Sequence, residues 1–387
     1  MNNTENKLVK DFQKILKEVC GNGKFALHEP YFSNKEKKLV QKCIDSSYVS
    51  SIGEYTKKFE LKISKYTQSK YCICVVNGTS ALHLALLAIN LKVGEEVIVP
   101  ALSFVATANA IRYCGAEPHF VDIDDKDLGI DPLKLEKWLN KVTILKNKKC
   151  FNRKTGKQIR AIIPVHVFGN ACSIKKIIKV AKKYHLEVIE DAAESLGTWH
   201  EKKHTGTFGK LGIFSFNGNK IITTGGGGAI VTNDKKIAAK IQHLSTQAKV
   251  KHLYDISHNE VGYNYRMPNI NAALGIAQFE KLNSFLKSKR KLFKLYEKKF
   301  KDLKHIELIT NKYSNNWLIS IKLDKKIDKY RNKILISCNK NGFQIRPTWK
   351  LLNKLKIYKE SPSSDTFTAE NLSKKIISLP SSAFLVK

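Results

Sequence analysis

The chain of 387 residues contains no run of about 18 apolar residues, so no membrane-spanning helix is expected. Its opening, Met1-Asn2-Asn3-Thr4-Glu5-Asn6-Lys7, carries no apolar stretch, and a secretory signal is therefore not expected. No Cys-x-x-Cys pair occurs among the eight cysteines. Cys72 and Cys74 stand two apart in an apolar strand pattern, which suits buried free thiols better than a disulfide or a zinc site. No metal site is expected, and the cysteine usage fits a reducing, cytoplasmic compartment. Internal repeats and low-complexity linkers are absent as well.

Arginine is scarce. It stands only at positions 112, 153, 160, 266, 290, 331 and 346, so nearly all of the 68 basic residues are lysine. With 34 acidic residues the formal charge is +34, a balance that raises nucleic-acid binding as a possibility. Base readout favours arginine forks, however, and stacking on single strands needs aromatic residues interleaved with basic ones. Neither pattern occurs, and the lysines are spread over most expected helices. The expectation is a solvated lysine-rich surface without a nucleic-acid partner, whose positive field attracts an anionic small substrate.

The 42% of hydrophobic residues fill a sizeable core, and the length fits one large α/β unit with a smaller one appended. Leu8, Phe12, Ile15, Leu16 and Val19 recur at helical spacing, and a second short helix is expected over 35–45. The loop Tyr48 to Gly53 is small and hydroxylated enough to let a ligand approach, or is a plain turn. From Tyr71 to Glu190 apolar strand patterns alternate with helical ones: strands over 71–76, 96–100, 119–123, 161–167 and 186–190, helices over 81–91, 104–113, 132–139 and 174–184. A basic hairpin-like insertion spans Lys146 to Gln158. Such alternation implies a largely parallel sheet with helices on both faces and ligands at the carboxyl ends of its strands. A long helix over 268–300 leads out of this body, and an α+β pattern follows from about Asp302.

Several turns at those strand ends carry chemistry. Asn77-Gly78-Thr79-Ser80 lies between a strand and a helix, where free N–H groups and the helix dipole attract a phosphate. It is neither a P-loop nor Gly-x-Gly-x-x-Gly, and taken alone the turn reads better as an ordinary cap by Thr79 or Ser80. Asp191 ends the strand Val188-Ile189-Glu190 as an N-cap or as the partner of a buried cationic nitrogen. Lys220 lies in an apolar, glycine-rich turn between the strand Gly212–Phe216 and one starting at Ala229, after the run Gly225 to Gly228. A desolvated lysine loses its proton easily and condenses with carbonyl compounds; a surface turn is the bland alternative.

Six segments in order resemble the pyridoxal-phosphate-dependent nucleotide-sugar aminotransferases of the DegT type. They are Val76 to His83, Pro100 to Asn109, Pro164 to Gly169, Glu190 to Gly197, Ser215 to Lys220, and Gly262 to Met267. The resemblance covers the chain from about residue 28 and implies fold type I, aspartate-aminotransferase-like, with a mostly parallel large domain and a small C-terminal α+β domain. The expected bounds are 1–54 for an N-terminal arm, 55–280 for the large domain and 281–387 for the small one. By this resemblance Lys220 would bond pyridoxal 5'-phosphate covalently, and Asp191 would pair with its ring nitrogen. Gly78, Thr79 and Ser80, with Ser215, would hold its phosphate, and Phe104 would stack on its ring. Asn264 would reach the phosphate of a neighbouring subunit, which implies a homodimer, or a tetramer, with shared sites. The position of Glu194 holds Gln or His in many members and contacts the ring region.

Further features are similar to the aminotransferases of legionaminic acid-type nonulosonate synthesis. They are His28 to Ser33, Val49 to Gly53, the basic insertion, and Arg346-Pro347-Thr348-Trp349. The implied substrates are L-glutamate and a UDP-linked 4-keto-6-deoxy-N-acetylhexosamine, aminated at C4. Related sugar 3-dehydratases carry His in place of Lys220, which argues against them. An aminotransferase for a GDP- or dTDP-linked keto sugar, or a non-catalytic regulator on this fold, are the alternatives.

Overall fold

The computed structural model describes residues 3–386, the side chains from Asn6 onward. Met1 and Asn2 of the opening segment lie outside the described residues. The central sheet runs in the order 71–75, 228–232, 211–215, 187–191, 158–162, 96–100 and 117–121. From Leu211–Ser215 to Glu117–Val121 the neighbours pair in parallel; Gly228–Thr232 is antiparallel to both strands beside it. Strands such as Glu96–Pro100 and Gly228–Thr232 are buried along their whole length, which is why they read as continuous runs with little alternation.

The insertion after residue 142 is a real hairpin, Thr143–Lys146 with Lys149–Asn152, and it pairs antiparallel with Gln158–Ile162 of the main sheet. Two helices escaped the sequence reading, Glu54–Thr67 and Lys235–Ser245. The expected helix over 268–300 is two helices, Asn269–Glu280 and Leu282–Phe300, interrupted at Lys281. The smaller body holds an antiparallel sheet in the order 306–308, 320–323, 376–378, 346–347. The helix Asn3–Cys20 rests on this body: Phe12 and Leu16 are fully buried among Leu292, Tyr296 and Ile321, and the rings of Phe12 and Phe300 meet edge-on at 5.2 Å.

The helix after the first strand is Gly78–Ala88, so it starts three residues earlier than its apolar pattern suggests. Asn77 caps it, its side chain accepting the Ser80 N–H at 2.7 Å. Gly78 and Thr79 thereby become the first turn. Sheet register brings this turn to the neighbouring strands: Val75 stands opposite Gly228, and Gly228 opposite Ser215. A Cβ on Gly228 would lie 2.5 Å from the Asn77 carbonyl oxygen, and one on Gly78 would lie 3.0 Å from Ser215 Cβ. The two glycines are therefore what lets a helix N-terminus and two strand ends converge.

Candidate active site

A cavity of about 330 Å³ opens at the carboxyl ends of the parallel strands. Of the residues singled out in the sequence, Gly78, Thr79, Phe104, Asp191, Glu194, Ser215 and Lys220 all line it. Residues separated by more than a hundred positions meet there because each follows a strand whose end points the same way. Ser80 does not line it; its N–H serves the cap. Asn264 does not line the cavity of its own chain and lies beside Thr246 in an isolated antiparallel bridge. The Tyr48 to Gly53 loop is engaged elsewhere: Asn269 donates its backbone N–H to Ser50 and its side-chain N–H to the Tyr48 carbonyl. His166, in one of the turns at strand ends, is fully buried against Glu190 at 3.1 Å and leaves that position on the wall to Val165.

Lys220 sits in a turn closed by its own N–H to the Asn217 carbonyl at 2.9 Å. Its Nζ lies 3.3 Å from Glu194 Oε1, and the other Glu194 oxygen accepts the Phe168 N–H at 2.8 Å. Phe168 takes a left-handed backbone conformation, φ +57°, to present that N–H. Burial pushes the Glu194 carboxyl up, against the pull of Lys220 and the Phe168 N–H. Asp191 accepts from the Thr107 hydroxyl at 2.8 Å and from the Ala193 N–H at 3.2 Å. Burial raises this carboxyl too, and those two donors and the Lys220 charge only partly oppose it. No cation lies within ion-pair distance of Asp191 among the described residues. Phe104 stands half-exposed at the opening, with Trp349 of the smaller body edge-on at 6.2 Å.

Sequence reasoning missed Thr107, Trp317 and Trp349 as cavity residues. Thr107 and Trp349 lie inside segments that carried the resemblance, so position relative to those motifs was an available signal. Trp317 belongs to no motif.

The arrangement is what a ring bearing a phosphate, a basic nitrogen and an aldehyde requires. A helix N-terminus faces Ser215 across two glycines, a buried carboxylate lacks a cation, an aromatic face stands at the opening, and an amine stands in the cavity. The sequence pattern of the DegT/DnrJ/EryC1/StrS aminotransferase family matches residues 30–386. The chain belongs to this family. It is a pyridoxal-phosphate-dependent sugar aminotransferase of fold type I. It is 37% identical over 358 residues to the GDP-perosamine synthase of Escherichia coli O157:H7, covering 92% of each chain. It is 32% identical to the UDP-4-amino-4,6-dideoxy-N-acetyl-beta-L-altrosamine transaminase of Campylobacter jejuni, covering 85% of each. Among solved structures, Helicobacter pylori PseC, an aminotransferase involved in the biosynthesis of pseudoaminic acid, superposes with a TM-score of 0.83 at 27% identity, covering 92% of this chain and 94% of that one.

Proposed function

We propose that this aminotransferase takes an amino group from L-glutamate and delivers it to C4 of a UDP-linked 4-keto-6-deoxy-N-acetylhexosamine, for a legionaminic acid-type or other surface-glycan sugar. The observation that carries the chemistry is the Lys220 amine in the cavity, 3.3 Å from Glu194 and across from Asp191. The UDP sugar is supported by the Campylobacter jejuni relative and by the motifs from His28 to Ser33 and Arg346 to Trp349.

Pyridoxal phosphate supplies, when bound, the electron sink that lets the proton leave the substrate carbon. The chain's residues do the rest. Asp191 would hold the proton on the ring nitrogen, Gly78, Thr79 and Ser215 would bind the phosphate, and Phe104 would cover the ring. Lys220 Nζ is the amine that would hold the cofactor and, when free, would take and return the proton, a role contributing roughly 10²–10⁴-fold. Ser80 acts through the cap that sets the first helical turn. Asn264 would reach the phosphate of a second copy in a homodimer with shared sites, working in the cytoplasm.

A second reading, a GDP-linked 4-keto-6-deoxyhexose as acceptor, is favoured by the 37% identity to a GDP-perosamine synthase. The deciding experiment incubates the enzyme with glutamate and UDP-, GDP- and dTDP-linked 4-keto sugars and reads product mass and ring position by NMR. Amination of the UDP sugar alone supports the first reading; preference for the GDP sugar replaces it with the second. Borohydride should abolish the near-visible absorbance band and mark Lys220 in the peptide map, and Lys220→Ala should lose both band and turnover while staying folded. A mark on another lysine would remove Lys220 from its role.

A further inference from the structure

Trp317 comes from the smaller body, yet its indole ring centroid stands 3.9 Å from Lys220 Nζ. Glu194 Oε1 reaches the same nitrogen at 3.3 Å. The free amine is therefore held by a carboxylate and an aromatic face together. Both are fixed by one hydrogen-bonded unit. The Trp317 indole N–H donates at 2.8 Å to the carbonyl of Asn219, the residue before the lysine. Its backbone N–H donates at 2.8 Å to Asn315 Oδ1. The Asn315 amide donates at 2.9 Å to the carbonyls of Glu194 and Leu196. The buried Lys289 amine donates to the Trp317 backbone carbonyl at 3.0 Å, and the His28 and Trp317 ring centroids stand 6.4 Å apart.

We propose that Trp317 is a positioning residue for Lys220: when the amine is not bonded to the cofactor, the indole face, with Glu194, keeps it in one place and stabilises the ammonium it becomes on taking a proton. Glu194 by itself is an ambiguous anchor. Burial raises its carboxyl, and a neutral acid beside a neutral amine would satisfy the same contact with no charge buried. An aromatic face removes that ambiguity, because it attracts only the ammonium and cannot take its proton. The other titratable groups around this nitrogen do not replace it. Asp191 faces the cofactor site and adds negative charge, whereas burial holds His28 and Lys289 on the low side of their ordinary values. The ammonium is the form Lys220 reaches on accepting the substrate proton, so a bracket that stabilises it lowers the energy of that step's product.

The meaning of this device rests on Lys220 being the cofactor-bonding lysine, but its test does not. Full-length protein prepared without cofactor is pulse-labelled with acetic anhydride across a pH series, and labelling of Lys220 is read by peptide mass spectrometry. Each profile is normalised to its own plateau, which removes differences in access. The profile of Trp317→Leu should shift by about one unit to lower pH relative to the wild type, a roughly tenfold change at fixed pH. Trp317→Phe, which keeps a weaker ring face, should shift by less. Coincident profiles for wild type and Trp317→Leu overturn the proposal. If the Leu variant does not fold, an unshifted Phe profile overturns it and a small downward shift supports it. Failure of the Lys220 assignment shows differently, as a borohydride mark elsewhere.

Discussion

Asp191 is stabilised by two neutral donors and faces a cavity, so its negative charge is left for something bound there. In Asp191→Asn the amide can keep contact with Thr107 but cannot hold a proton on a ring nitrogen. The variant should retain cofactor and lose about 10²–10³ in kcat, by analogy with removal of one electrostatic group elsewhere; spectrum and rate measured together check this, and full activity would take Asp191 out of the mechanism. His204 is a second readable residue. It is buried, and its Nε2 accepts the Gly197 N–H at 2.8 Å, so the ring must be neutral at that atom. Burial pushes it down to about 4, from an ordinary value near 6.5. Between these values the unfolded chain binds the extra proton, so stability falls as pH falls from about 6.5 to 4, by at most about 1.4 kcal/mol per pH unit. Urea unfolding at several pH values should give a shallower acid slope for His204→Gln than for the wild type.

The convergence of the helix Gly78–Ala88 with the strands Leu211–Ser215 and Gly228–Thr232 depends on Gly228 having no side chain. In Gly228→Ala the new methyl would meet the Asn77 backbone, which cannot rotate away. The helix N-terminus must then draw back from Ser215. A destabilisation of roughly 1–3 kcal/mol is expected, and cofactor affinity should fall at least tenfold, measurable by absorbance titration alongside thermal unfolding. The helix start itself was misjudged from sequence. Ala81 opens the apolar run, but Asn77 supplies the cap, and caps sit several residues before the pattern becomes apolar. The two missed helices have a similar cause. Glu54–Thr67 and Lys235–Ser245 are lysine-rich on their outer faces, and contacts with the large body select their buried residues.

Across the whole molecule the main hydrophobic cluster runs from the central sheet to Trp317, Leu351 and Ile376 of the smaller body, so the wall carrying Trp317 is part of a continuous core. We propose the units 1–54, 55–280 and 281–387, with the helix Asn3–Cys20 resting on the last of them. No helix among the described residues is long and apolar enough to cross a membrane. The charge of +34 bears on substrate capture. A nucleotide sugar presents few charges, so KM should rise only modestly with salt. A protein neutralising six to ten phosphates loses about 10³–10⁵ in affinity between low and moderate salt. We expect no duplex or single-strand retention at 150 mM salt in a gel shift, and tight sequence-dependent retention would favour a regulatory role.

The sequence by itself determined the parallel core and the strand-end turns where Lys220 and Asp191 stand, because buried strands read as apolar runs that such residues interrupt, whereas Phe104 and Ser215 entered only through the family resemblance. Only the tertiary structure decided what surrounds Lys220. Glu194 is 26 residues away in sequence and Trp317 is 97 residues away, and no local pattern fixes their distance from its amine. Hydrophobic periodicity specifies which face a segment buries; which side chain from another body then meets a given atom depends on how those faces pack together.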